Sequence, residues 1–254
     1  MIRLFFKKED FMNIDNKRIN DFMLKCGFSK KDADHFWEII KPIVEHDEFK
    51  RRMTNEFLHH DDVTLGEHII MDAILTYQNA LKYAIVDDSV DVDLAVVIAM
   101  FHDLYTMHWQ NNPDIICNHF FNKHGFVHPV EAAINAMIWY PDYFKDSTQA
   151  FKITDGIIHH MYPFPVRTFD GSDLELNNLD NFNKLSEREK NLVILSTNRA
   201  RIGKVSFARS LFVEGRIMSH ADKVISWGSE LKSVHGLTAC VTGHNRNLDK
   251  KAKE

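Results

Sequence analysis

The sequence predicts an all-α protein, a compact multi-helix fold of about eight to ten helices. Three observations carry that expectation. Apolar residues recur at helical spacing along most of the 254-residue chain. Gly (10) and Pro (6) are scarce, which disfavours turn-rich sandwiches and barrels. Two segments open on Ser with an acidic residue three positions later, Ser29 with Asp32 and Ser186 with Glu189, the arrangement a capping box needs.

Taken in order, Asp15 or Asn16 caps a first helix with Ile19, Phe22, Met23 and Cys26 on one face and Gly27 as its stop. Ser29 and Asp32 open a second, with Phe36, Ile39 and Ile40 inward, and Pro42 is expected to break or restart it. Met53, Glu56 and Phe57 extend a further helix. The next runs from about Thr64 to Ala84, with Ile70, Ala73, Ile74, Tyr77 and Leu81 as its stripe. Asp91 or Asp93 then opens VDLAVVIAMFHDLY, apolar almost all round. Such a segment is a central buried helix; its β-branched run also allows a strand, but no turn and partner strand flank it. His128-Pro129 marks another start, with PVEAAINAMIWY running to Pro141. A helix from about Thr148 reaches His160 and Met161. Residues 163–185 are the least periodic stretch, read as a lid or substrate-facing loop, or equally as a plain solvated insertion. Ser186 and Glu189 cap a helix carrying Leu192, Val193, Ile194 and Leu195, and a last long helix is expected over residues 206–227. Residues 1–58 form N-terminal helices packed on the core, 59–245 the main domain, and 246–254 a polar tail.

Composition narrows the function. Lys and Arg total 31 against 36 Asp and Glu, a net charge of -5. No broad positive field exists for nucleic acid, which is not an expected partner. Cys26, Cys117 and Cys240 lie far apart with no CxxC pair, against thiolate zinc sites and for a reducing, cytoplasmic setting. The apolar run over residues 94–101 falls short of the roughly 20 residues a membrane span needs. The opening MIRLFFKKEDF is too short an apolar patch for a signal peptide.

The unusual number is 15 His. His102 and Asp103 end the most apolar helix, where burying an imidazole beside a carboxylate costs several kcal/mol unless they are paired or bind a metal. His159 and His160 end another apolar helix, His68 and His128 sit near the starts of two more, and Asp222 lies inside the last. Singly, each has an ordinary structural explanation; the set is what carries weight. His108, His119, His124 and His220 read as surface or supporting residues, and Tyr105, Trp109 and Tyr162 as core or rim.

In order, H…HD…H…HH…D resembles the metal-binding signature of the HD-domain metal-dependent phosphohydrolase superfamily, in particular its two-metal members and their cyclic-dinucleotide phosphodiesterase branches. His68 stands at the first histidine, His102-Asp103 at the doublet, His128 within HPVEAA at the HPxxxA-like helix start, His159-His160 at the paired histidines and Asp222 within SHADKV at the closing aspartate. The matching span is about residues 60–230. The chain departs at HDLYT, which lacks the lysine of HDxGK, and at HHMYPFP, which replaces a DGxGYP-like stretch.

The resemblance implies an all-helical hydrolase with His68, His102, Asp103 and Asp222 as its catalytic core. One ion takes those four residues; the other takes Asp103, His128, His159 and His160, with Asp103 shared. A thiolate-free N/O donor set suits divalent transition metals, Fe or Mn foremost, and two ions activate a bridging hydroxide for in-line attack on phosphorus. In NRARIGKVSFAR, Arg201 and Lys204 are the foremost candidates to bind substrate phosphate, flanked by the anchoring Ile202 and Val205. The expected partner is a small, nucleotide-like phosphate compound. A diester is favoured over a monoester because no dense basic cluster accompanies the histidines and residues 163–185 are acidic. A phosphomonoesterase or nucleotidase, or a metal-holding sensor with little turnover, is the alternative.

Overall fold

The computed structural model describes residues 15–60, 63–106, 121, 123–169 and 179–226. Helix makes up 67% and strand 5%, an all-α architecture. Asp15 caps α1 (Asn16–Lys25) by accepting from the Arg18 amide at 2.8 Å, and Ser29 with Asp32 closes a capping box on α2 (Lys30–Val44). Pro42 does not break α2. It lies in the last turn, where its missing N–H removes a single helical bond. A short α3 (Asp47–Arg52) follows. Residues 53–57 then turn instead of extending it, and the chain enters an antiparallel pair, β1 (Leu58–His60) and β2 (Val63–Thr64).

Thr64 and Glu67 box the start of α4 (Leu65–Ala84). Asp91 caps α5 (Val92–Phe101), accepting from Leu94 N at 2.9 Å. Every residue from 94 to 101 is buried. A segment covered on all sides must satisfy its backbone internally, which a helix does and a lone strand does not. Around α5 pack α2, α4, α7 (Ser147–Ile158) and α10 (Val213–Ile225).

Helix α6 (His124–Trp139) starts one turn before the His128-Pro129 boundary expected from sequence. Pro129 is accommodated early in the helix, where the Gly125 carbonyl alone forgoes its partner. Ser206, expected to begin the last helix, instead ends a strand of a small antiparallel sheet. Its order is β3 (Val166–Arg167), β5 (Val205–Ser206), β4 (Arg201–Ile202). Ala200 and Gly203 take positive φ at its turns, and α10 starts only at Val213. Trp227 lies outside the described residues, as do residues 170–178 of the 163–185 stretch, with the acidic Asp170, Asp173 and Glu175. The rest of that stretch is not featureless: it contributes β3 and α8 (Leu179–Lys184). Ser186 and Glu189 cap α9 (Glu187–Thr197) as expected.

Helices α7 and α10 meet backbone to backbone. A Cβ added to Gly215 would lie 2.8 Å from Gly156 Cα, and one added to Gly156 would lie 2.7 Å from the Ile98 side chain of α5. Among the described residues, no helix is long and apolar enough to cross a membrane.

Candidate metal centre

Five helices bring their polar residues to one buried place. His68 and Asp72 lie one turn apart on α4, which puts them on the same face. His102 caps the C-terminus of α5 and Asp103 follows it. His128 comes from α6, His160 from the turn that ends α7, and Asp222 from α10. All are buried, from 0% exposed for His68, Asp72 and His102 to 6% for Asp222.

The imidazoles are held in one tautomer. Nδ1 of His102 lies 2.7 Å from Ala99 O, Nδ1 of His128 2.9 Å from His124 O, and Nδ1 of His160 2.7 Å from Ile157 O. A carbonyl only accepts, so Nδ1 carries a proton and Nε2 is the nitrogen turned into the cluster. Helix carbonyls orient metal-binding histidines in this way. The Nε2 atoms converge on Asp103. Its Oδ1 lies 3.3 Å from His128 and 3.6 Å from His160, while its Oδ2 lies 3.5 Å from His68, 3.5 Å from His59 and 3.7 Å from His102. The carboxylate therefore faces two separate groups, one through each oxygen.

Two features show that this arrangement suits a cation. Nε2 of His128 and Nε2 of His160 face each other at 3.1 Å; with both Nδ1 atoms protonated, these lone pairs need a proton or a metal between them. His102 Nε2, Asp103 Oδ1 and both oxygens of Asp72 are buried without a hydrogen bond. Burial opposes a charge on His102, yet Asp103, Asp72 and Asp222 together push its pKa up to about 10. Burial alone would raise Asp103; His102 and His128 instead hold it well below the usual carboxylate range. His160 is pushed down to about 3, first by burial and then by His128 and His102, so it stays a neutral donor. Three overlapping groups can each hold a metal ion: His68, Asp72, His102 and Asp222; His59, His68 and Asp103; and His102, Asp103 and His160.

Asp72 and His59 were not anticipated from sequence. Asp72 had a signal, a carboxylate embedded in the stripe of Ile70, Ala73 and Ile74. His59 had none, because it lies in a short strand without helical period; its ring stacks on His68 with centroids 3.7 Å apart. His159 is not brought to the cluster. Its Nε2 donates to Ser196 O at 3.1 Å, across to α9, and lies 3.9 Å from Asp155. Arg201 and Lys204 are exposed on the β4–β5 hairpin. Arg201 donates to Gly203 O and Asn198 Oδ1, and among the described residues no hydrogen bond or ion pair ties either side chain to the cluster. Arg199 instead joins the buried Asp155 at 2.6 Å. His124 stacks on His128, Tyr105 packs edge-on against both, and Tyr162 is exposed at the surface with Arg209 over its ring. His220 is exposed on α10; His108, His119 and Trp109 lie outside the described residues.

A clamp fixes His160 against Asp222. The His160 carbonyl accepts from Ser219 Oγ at 2.5 Å and from Lys223 Nζ at 2.8 Å, both on α10. Ser226 Oγ in turn donates to Asp222 Oδ1 at 3.1 Å. Lys223→Met should weaken uptake of the second metal equivalent by about tenfold or more, the usual scale for a lost supporting contact. A manganese titration with unchanged affinity for both equivalents would assign Lys223 to general packing.

No protein-family model matches the chain, and no curated protein or solved structure matches it either. The geometry stands by itself: the His/Asp clusters form an HD-like dinuclear metal-binding pattern in an all-helical fold.

Proposed function

We propose that the chain is a metal-dependent phosphohydrolase acting on a small, nucleotide-like phosphate ester in the cytoplasm, with residues 59–245 as its catalytic unit and residues 1–58 packed on it. The observation that carries this reading is the convergence of buried imidazole Nε2 atoms on the two oxygens of Asp103. Two divalent ions, Fe or Mn by donor type, supply an activated water and polarise the phosphoryl group when bound. His68, His102, Asp103 and Asp222 serve one ion; Asp103, His128 and His160 serve the other. Buried carbonyl contacts keep His102, His128 and His160 aimed, so little reorganisation of these three accompanies the reaction. We assign His159 to joining α7 to α9 instead of to a metal. Arg201 and Lys204 act in this reading as surface cations that draw anionic ligands by long-range attraction.

The test is chain purified without chelator and reconstituted with Mn or Fe(II). Elemental analysis should approach two equivalents, and a panel of cyclic and linear dinucleotides, nucleoside phosphates and chromogenic phosphate esters should include at least one substrate. Two bound equivalents without turnover of any member would favour a metal-holding sensor. A firm maximum of one equivalent would refute the dinuclear site.

A further inference from the structure

We infer that Asp72 is a charge-setting ligand that tunes the centre to singly charged phosphodiesters over doubly charged monoesters. This deepens, and rests on, the phosphohydrolase reading. Asp72 is 0% exposed, and neither of its oxygens has a hydrogen bond. Its Oδ2 lies 3.2 Å from His68 Nε2 and 3.2 Å from His102 Nε2. A carboxylate carrying a charge at such a place needs a counter-charge, and the atoms facing it are imidazole nitrogens that a metal ion would also engage. The ligand atoms of His68, Asp72, His102 and Asp222 all lie within 4.8 Å of one another.

The consequence is electrostatic. Asp72 joins Asp103 and Asp222 as a third carboxylate, while an imidazole that binds a metal through Nε2 and keeps its Nδ1 proton adds no charge. With the shared water still neutral, two divalent ions held by three carboxylates leave one net positive charge, where two carboxylates would leave two. A phosphodiester brings one negative charge and neutralises such a centre; a monoester dianion overshoots it. Among the described residues, the cation tied to the cluster by the hydrogen-bond network is Lys223, which donates to the His160 carbonyl and to Ser219 and so offers no clamp for a second phosphate charge. In a buried site of low dielectric, one unit of charge weighs heavily in the choice between these ligands.

The experiment compares wild type, Asp72→Asn and Asp72→Glu, each saturated with manganese. It measures metal equivalents, calorimetric binding of inorganic phosphate, and the ratio of kcat/KM for bis(4-nitrophenyl) phosphate to that for 4-nitrophenyl phosphate. Wild type should favour the diester. Asp72→Asn should shift the ratio toward the monoester by about tenfold and tighten phosphate binding by a similar factor, while Asp72→Glu keeps the wild-type ratio. If Asp72→Asn loses a metal equivalent, the ligand assignment is supported and the wild-type ratio decides the charge argument. A wild type that prefers the monoester, or a fully loaded Asp72→Asn with unchanged ratio and phosphate affinity, overturns the inference while leaving the hydrolase reading intact. Absence of turnover and of phosphate binding by fully loaded wild type overturns both.

Discussion

Asp103→Ala is expected to abolish hydrolysis and to empty both halves of the metal centre. Asp103 is the residue whose two oxygens face different groups of imidazoles, His128 and His160 through Oδ1, His59, His68 and His102 through Oδ2. Each of these imidazoles is paired with one of its two oxygens, so removing Asp103 takes a ligand from both sides at once. Metal-assisted charge stabilisation contributes several kcal/mol to such reactions, so the loss should be roughly three orders of magnitude in kcat/KM or more. Bound metal should fall below one equivalent with the helical circular dichroism retained. His160→Ala is the informative contrast, weakening chiefly the Oδ1 side. If Asp103→Ala kept two tightly bound ions, the shared-ligand assignment would be wrong.

The second large effect is on stability, at Arg52, the last residue of α3. Its side chain is 0% exposed, an unusual place for a guanidinium. Burial lowers its pKa, opposed by Glu48. Nη1 donates to Glu48 O at 2.6 Å and to its carboxylate at 3.1 Å, and Nη2 donates to Tyr105 O at 2.7 Å. The guanidinium also stacks over Trp139 and Phe57, 4.4 and 4.9 Å from their ring centres. Glu131 and Asn135 of α6 hold the residues on either side: Thr106 N donates to Glu131 at 2.7 Å, and Asn135 Nδ2 to Leu104 O at 2.7 Å. The segment leaving Asp103 is thus gripped from two directions. Arg52→Ala leaves a buried carbonyl unsatisfied and a void between two rings, at a cost of about 3–5 kcal/mol. Thermal unfolding should fall by roughly 10 °C for a chain of this size. Arg52→Lys should recover little, because an ammonium has no planar fork to serve Glu48 and Tyr105 while stacking. A loss below about 1 kcal/mol for the alanine variant would show that the pocket relaxes around it.

The sequence made the helical fold visible where periodicity and capping agree. The α5 segment was legible because eight consecutive buried residues ending in a His-Asp pair leave few alternatives, and α9 because Ser186 and Glu189 announce it. Periodicity was silent on the small sheet: β4 and β5 are two residues each, below the length at which alternation registers. It was equally unable to distinguish His159 from His160. The two are adjacent at a helix end, and their directions depend on how that end unwinds against α9 and α10, which is tertiary information. Asp72 was legible in principle, as a carboxylate on an apolar stripe. The order H…HD…H…HH…D has no position that corresponds to Asp72, so the resemblance does not single it out.

The glycine contact between α7 and α10 has a bearing on how the centre can be altered. Gly156 precedes His160 by one helical turn, and Gly215 precedes Asp222 by two, on the same side of α10. Where main chains touch, no side chain acts as a spacer. The gap across which His160 and Asp222 face each other is therefore gauged by the thickness of two bare backbones. Ordinary exchanges among the surrounding Ile, Val and Met residues leave that gauge untouched. A methyl group at Gly215 would press on the Gly156 main chain and push α10 off α7, while one at Gly156 would press on Ile98 of α5, so reshaping this site for a different ion runs through positions that carry no functional group.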